Sequence, residues 1–303
     1  MRPLAVLALA ALVATSLAGC ASPSGGGRAD VVASFYPLAY LTQRIAGGQM
    51  TVGTLIPSDV EPHDYELKPS DQSALDHAKL IVFAGPGLEA FLDKAKQNAD
   101  AARVPYVVAS EGIELQSSSD AAEPGLDPHV WVDPVAAQQE ARNVEAKLEQ
   151  VDPAHAQAYQ ANLASLLSDL RSVDAAYRGG LARCAQDHVI TTHAAFGYLA
   201  RDYGFTQFAI SGLSPDESEP SAQKVKETVD LAKKENVTTI FFESLVSPAV
   251  AQAIASELPH GRTDVLDPIE GIPDADAAHG ETYLTLMLKN LDHLRVALGC
   301  AGP

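Results

Sequence analysis

From residue 31 to residue 109, short apolar runs alternate with amphipathic stretches, and the same rhythm resumes near residue 187. Val31–Phe35, Thr51–Ile56, Lys79–Ala84 and Val104–Ala109 are β-branched or continuously apolar and read as strands. Between them, Pro37–Ala46 reads as a helix stopped by Gly47-Gly48, and Pro69-Ser70-Asp71-Gln72 opens another that runs to Ala78. Gly85-Pro86-Gly87 turns into a third over Leu88–Asn98. In the second half, Asp187–Thr191, Thr206–Ile210, Thr238–Phe242 and Thr263–Leu266 read as strands. Helices are expected over His193–Tyr203, Ala222–Glu235, Pro248–Glu257 and Glu281–Leu298. Strands separated by helices of this length imply parallel sheets with crossover connections.

The middle of the chain breaks the rhythm. Pro134, following a capping Asp133, starts a helical pattern to Gln150; Asp152-Pro153 restarts it, and it continues to Arg178 before Gly179-Gly180. No strand interrupts this tract, and its second part would span roughly 35–40 Å at 1.5 Å per residue. The pattern predicts a spine, with a helical hairpin as the alternative. The expected fold is therefore α/β: two βα lobes with parallel sheets, residues 29–133 and 181–303, joined by long rigid helix within residues 134–180.

The amino terminus reads as a targeting signal. Arg2 supplies a positive n-region, and Leu4 to Leu17 form an Ala/Leu/Val run too short and too Ala-rich to span a membrane well. Leu17-Ala18-Gly19-Cys20 resembles a bacterial lipobox, which implies a signal peptide over residues 1–19 and lipidation of Cys20. Two or more acyl chains there would anchor the protein stably, with Ala21–Arg28 as a flexible tether (residues 20–28). The expected location is extracytoplasmic, lipid-anchored to the bacterial cell membrane. In an oxidising compartment the remaining cysteines, Cys184 and Cys300, read as a disulfide.

Composition narrows the partners. A net charge of -18 argues against nucleic acid and anionic headgroups, and suits, weakly, a protein that handles cations. His63, His129, His193 and Asp267 each follow a strand or extended run, two from each half. Ligands of parallel sheets bind beyond the carboxyl ends of strands, so a site in the cleft between the lobes is the simplest geometry. Three imidazoles and a carboxylate suit Zn²⁺, although ligands this far apart form no local motif. Glu243 is a candidate acceptor for the N–H of a ligand imidazole, or an alternative ligand; Asp127 could accept similarly, and Asp133 reads as a helix cap. Ser211, Ser214 and Cys184 lack a nucleophile-elbow or Cys-His context, and no catalytic residue is assigned.

Six stretches carry a family resemblance. They are residues 61–71 (Glu-Pro-His-Asp-Tyr-Glu-Leu-Lys-Pro-Ser-Asp), residues 127–134 (Asp-Pro-His-Val-Trp-Val-Asp-Pro) and residues 192–199 (Thr-His-Ala-Ala-Phe-Gly-Tyr-Leu). Residues 214–221, 242–245 and 266–271 (Leu-Asp-Pro-Ile-Glu-Gly) complete the set. In this order they resemble the zinc-uptake branch of the metal-binding lipoproteins that serve ABC importers. The resemblance implies that His63, His129, His193 and Asp267 are metal ligands. It also implies a non-enzymatic, monomeric zinc carrier whose partners are an ABC permease and its ATPase. His193 stands where manganese-type relatives carry Glu, which favours zinc over a harder cation. The loop Leu115–Leu126 is short and lacks the His/Asp-rich insertion of many zinc-type members, so a manganese or mixed-metal carrier stays open as the alternative. A surface metallohydrolase with Glu243 as base, or an adhesin, are the other readings.

Overall fold

The computed structural model describes residues 29–118, 125–213 and 220–301. The expected signal peptide, the lipidation site Cys20, the tether and most of the acidic loop after Leu213 lie outside these residues. The first half runs β1 (Val31–Ala33), α1 (Tyr36–Ala46), β2 (Val52–Thr54), α2 (Pro69–Leu75), β3 (Leu80–Phe83), α3 (Leu92–Ala102) and β4 (Tyr106–Val108). A 3-10 turn over Val130–Val132 leads into α4 (Pro134–Val151) and α5 (Ala156–Gly180). The second half runs β5 (His188–Thr191), α6 (Gly197–Tyr203), β6 (Thr206–Ala209), α7 (Ala222–Lys234), β7 (Thr239–Phe242), α8 (Ala249–Ser256), β8 (Arg262–Val265), α9 (Asp274–Ala278) and α10 (Tyr283–Ala297).

Each half builds one four-stranded, wholly parallel sheet, in the orders β2-β1-β3-β4 and β6-β5-β7-β8. Successive side chains in a strand point to opposite faces, and the core follows that alternation. Val31, Ala33, Leu80 and Val82 join a large interior cluster, whereas Val32, Ile81 and Phe83 pack outward with Leu92, Ala95 and Ala99 of α3. The large cluster does not stop at the first lobe. It continues through α1, α4, α5 and α10 to Val189, Phe196 and Phe241 of the second. A large apolar junction of this kind opposes independent motion of two lobes.

The helical tract breaks at Asp152-Pro153, as the pattern indicates, and its second part is the expected spine. Asp152 leaves helical geometry (φ -141°, ψ 70°) ahead of Pro153, and α4 and α5 pack along one another as a hairpin. The helix α5 crosses between the lobes, packing on α1 and on α10, and is about 38 Å long at 1.5 Å per residue. Near its start Asn162 donates to Ile45 O (3.0 Å) and Asp169 pairs with Arg44 (2.7 Å); near its end the Tyr177 hydroxyl donates to Met287 O (2.7 Å). The physical reason is the Pro153 ring, which removes a helical N–H and lets the chain reverse. Cys184 and Cys300 form the expected disulfide, tying the chain just beyond α5 to the chain just beyond α10.

Glu140, on the inward face of α4, is fully buried with no hydrogen bond to either carboxyl oxygen. Burial, and then the charges of Glu89 and Asp133, push it up to about 8. A raised carboxyl pKa in the folded state means that protonation favours folding. That contribution is complete below the ordinary carboxyl range and is lost as pH climbs toward 8. Glu140→Gln, an isosteric neutral replacement, should therefore flatten the decline in thermal midpoint between pH 5 and pH 8. Melting curves of the two proteins across that range check it.

Candidate metal centre

All the expected histidines lie past the carboxyl ends of strands. His63 sits in the loop after β2, His129 in the loop after β4, and His193 directly after β5. The pattern predicted helix from His193, but α6 begins only at Gly197. Neighbours capture the backbone that a helix would have used. Thr191 Oγ1 and Gln207 Nε2 donate to His193 O (2.6 and 2.9 Å), Ala194 N–H donates to Gly212 O (2.8 Å), and Phe196 N–H donates to Gln207 Oε1 (3.1 Å). The resulting loop turns the buried His193 ring into the cleft.

The three imidazoles meet. His129 Nε2 stands 3.2 Å from His63 Nε2 and 3.2 Å from His193 Nε2. Glu270 Oε1 lies 3.5, 3.4 and 3.8 Å from the Nε2 atoms of His63, His129 and His193. These four residues form a group whose ligand atoms all lie within 4.8 Å of one another. In a tetrahedral zinc site with bonds of about 2.0–2.1 Å, ligand atoms stand about 3.3–3.4 Å apart. The match is close.

The proton arrangement favours the same occupant. Asp127 Oδ1 accepts from His129 Nδ1 (2.8 Å), and Glu243 Oε1 accepts from His193 Nδ1. With these two Nδ1–H groups committed, Nε2 is the atom that the His129 and His193 rings turn to the centre. Both carboxylate oxygens of Glu270 are buried without a hydrogen-bond donor, a charge that calls for a cation. In the metal-free protein His129 supplies it. Burial raises the Glu270 carboxyl, but His129 and His63 outweigh this and hold it well below the usual range. Burial likewise lowers His129, yet Asp127 and Glu270 lift it to about 9. His63 stays lowered, burial outweighing Glu270.

Asp267, expected as the carboxylate of the set, is not part of this cluster. Its Oδ2 accepts from Ser244 Oγ (2.7 Å) and its Oδ1 from Ile269 N–H (2.6 Å), while its backbone exchanges two hydrogen bonds with Asn290 (2.9 and 2.6 Å). It is the brace of a turn, and Glu270 is the residue that the turn presents. Ile269 adopts φ 61°, a left-handed conformation that disfavours a β-branched residue and costs on the order of 1–3 kcal/mol. Trp131 Nε1 donates to the adjoining Pro268 O (2.7 Å), pinning the turn to the His129 segment. Gly271 allows close approach to the His63 loop, since a Cβ there would stand 2.1 Å from Ser58 O. Pattern reading had no means to choose Glu270, because two carboxylates three residues apart follow the same strand. Glu61 was also missed: burial, and then the Glu270 charge, raise it to about 9. Asp133 caps α4 as expected, accepting from Val135 N–H (2.9 Å).

The family model for the periplasmic zinc-uptake complex component A matches residues 31–297. The chain belongs to that family. Its relatives include the high-affinity zinc uptake system protein ZnuA of Bacillus subtilis, 36% identical over 300 residues, 93% of each chain. The zinc-binding lipoprotein AdcA of Streptococcus pneumoniae is 34% identical over 309 residues, 98% of this chain and 61% of the relative. The crystal structure of Zn(II)-bound AdcA superposes with TM-score 0.80 at 35% identity, covering 91% of this chain and 59% of that one. This chain thus spans about three fifths of AdcA. A mutant structure of the laminin-binding adhesin of Streptococcus agalactiae gives TM-score 0.81 at 33% identity, covering 89% and 99%. The family is extracytoplasmic, and no described helix is long and apolar enough to cross a membrane.

Proposed function

We propose that this protein captures Zn²⁺ outside the cytoplasm with His63, His129, His193 and Glu270 and delivers it to an ABC permease driven by its ATPase. A lipid on Cys20 holds it at the membrane, and it works as a monomer. The observation that carries the reading is the compact set of three Nε2 atoms and one carboxylate oxygen, all within 4.8 Å of one another in the closed cleft. Four ligands supplied by the protein leave no position for a reactive water, which favours capture over hydrolysis. Glu243, the base a hydrolase would use, accepts the His193 N–H. Three imidazoles favour zinc over manganese, which prefers more oxygen ligands.

Titration of zinc and of manganese into chelator-treated protein tests this, with submicromolar zinc binding and much weaker manganese binding expected. Equal affinities would make it a mixed-metal carrier, and no zinc binding would sink the reading. The pH dependence follows from the ligands, which bind metal as neutral rings. His129 holds its proton up to about pH 9 in the free protein, so zinc must displace that proton at neutral pH. Zinc affinity should therefore fall by about tenfold per pH unit below 9 while one proton is displaced, and more steeply once further rings protonate. Chelator competition at pH 6, 7 and 8 measures the slope.

A further inference from the structure

The stretch Ala194–Leu199 includes two residues with no part in the ligand set, Gly197 and Tyr198, the first two residues of α6. Tyr198 is fully buried against Val130 and Ala136 of the opposite side of the cleft. Its hydroxyl donates to Asp127 O (2.7 Å) and accepts from Gln116 N–H (2.9 Å). Those two residues are themselves joined, Asp127 N–H donating to Gln116 O (2.8 Å) at the base of the loop before His129. Gly197 completes the contact from beneath, because a Cβ on it would stand 2.8 Å from Asp127 Oδ2. The same carboxylate receives both the backbone N–H and the Nδ1 of His129 through Oδ1 (2.9 and 2.8 Å).

We infer that Gly197 and Tyr198 are positioning residues for metal capture: from the second lobe they hold Asp127, and through it the ring of His129 in the first. The helix that follows one histidine loop thereby sets the orientation of the histidine facing it across the cleft. The consequence is that His129 presents its Nε2 only while the lobes stay docked at this point. Removing the phenol oxygen takes the partner from the buried Asp127 carbonyl and from the half-buried Gln116 N–H, which favours rearrangement of that segment. An outer partner of a metal-bound histidine typically influences affinity by about 10–100-fold. Tyr198 acts one step further out, so the low end of that range is expected.

This inference rests on the proposed zinc site, and its test has one arm that needs no metal. Tyr198→Phe should weaken zinc binding about tenfold, chiefly through faster release, and alter the visible spectrum of the cobalt-loaded protein. Tyr203→Phe is the control: its hydroxyl, on the same helix, donates instead to Asp174 Oδ1 (2.8 Å) and should leave zinc affinity unchanged. Combining Tyr198→Phe with Asp127→Asn should give little more loss than Asp127→Asn alone, because both act through one carboxylate. Gly197→Ala should mimic Tyr198→Phe. In the metal-free protein, the downfield proton resonance of His129 Nδ1–H should persist in the parent and be lost to exchange in Tyr198→Phe. If that resonance is lost while the parent binds no zinc, the positioning role stands and the transport reading fails. If the resonance and the zinc affinity both match the parent, or the two substitutions multiply, the positioning role is wrong.

Discussion

Replacing Glu270 by alanine should weaken zinc binding by more than a hundredfold. It removes the one anion of the proposed ligand set, whereas loss of an outer partner typically costs about 10–100-fold. One smaller effect opposes the loss. In the metal-free state Glu270 helps to hold the His129 proton, raised to about 9 in its presence, so its removal eases displacement of that proton by zinc. Without Glu270 the three rings face one another with no carboxylate among them. Asp267→Asn is the informative comparison. It keeps an oxygen for the Ile269 N–H, turns an Nδ2 donor toward the Ser244 oxygen, and preserves the backbone pair with Asn290. It should therefore lower affinity by about tenfold or less, in the manner of an outer support. Isothermal or competition titration of both variants distinguishes the roles. A larger loss in Asp267→Asn than in Glu270→Ala would return Asp267 to the ligand set.

Reduction of Cys184–Cys300 should lower the unfolding free energy of the metal-free protein by roughly 4–5 kcal/mol, the chain-entropy value for a loop of this size. The bridge links residues 116 apart in sequence and so restricts a large part of the unfolded chain. Urea denaturation with and without reductant, or of the Cys184→Ser/Cys300→Ser double variant, measures the difference. Zinc affinity should change little. Cys184 precedes β5, at the amino-terminal edge of the second sheet, whereas His193 follows the carboxyl end of the same strand. Four residues of strand, about 13 Å, separate the two ends. A large affinity loss on reduction would show that the bridge sets the lobe docking and does not act on the unfolded chain alone.

The parts of the fold that were legible were those written in local periodicity. Runs such as Leu80–Phe83 and Thr239–Phe242, apolar on both faces and bounded by turn residues, can only be strands covered on both sides. The spacing between them leaves room for crossover helices and little else. Capping chemistry was equally readable at Asp133-Pro134, because an N-cap needs only its own following N–H groups. Elsewhere the pattern misled where distant partners decided the outcome. Helix propensity continues through Ala194 and Ala195, but Gly212 claims the Ala194 N–H, and Gln207 claims the flanking His193 O and Phe196 N–H. The helical pattern from Pro134 to Arg178, interrupted once at Asp152-Pro153, reads as a spine with a helical hairpin as the alternative. Only packing of α4 against α5 decides how the two parts lie.

The sequence by itself determined two parallel βα halves, the three histidines at strand ends and the cysteine pair, because each follows from local pattern or from matched motifs. The tertiary structure alone decided which carboxylate joins the histidines. Asp267 and Glu270 are three residues apart on one turn, and what separates them is the left-handed Ile269, the bond from Trp131 to Pro268 and the grip of Asn290 on Asp267. The first lies within the turn; the others come from residues 137 and 23 positions distant in sequence. Such contacts form only when two lobes close over one core, and their effect on a side chain's direction leaves no trace in the local pattern.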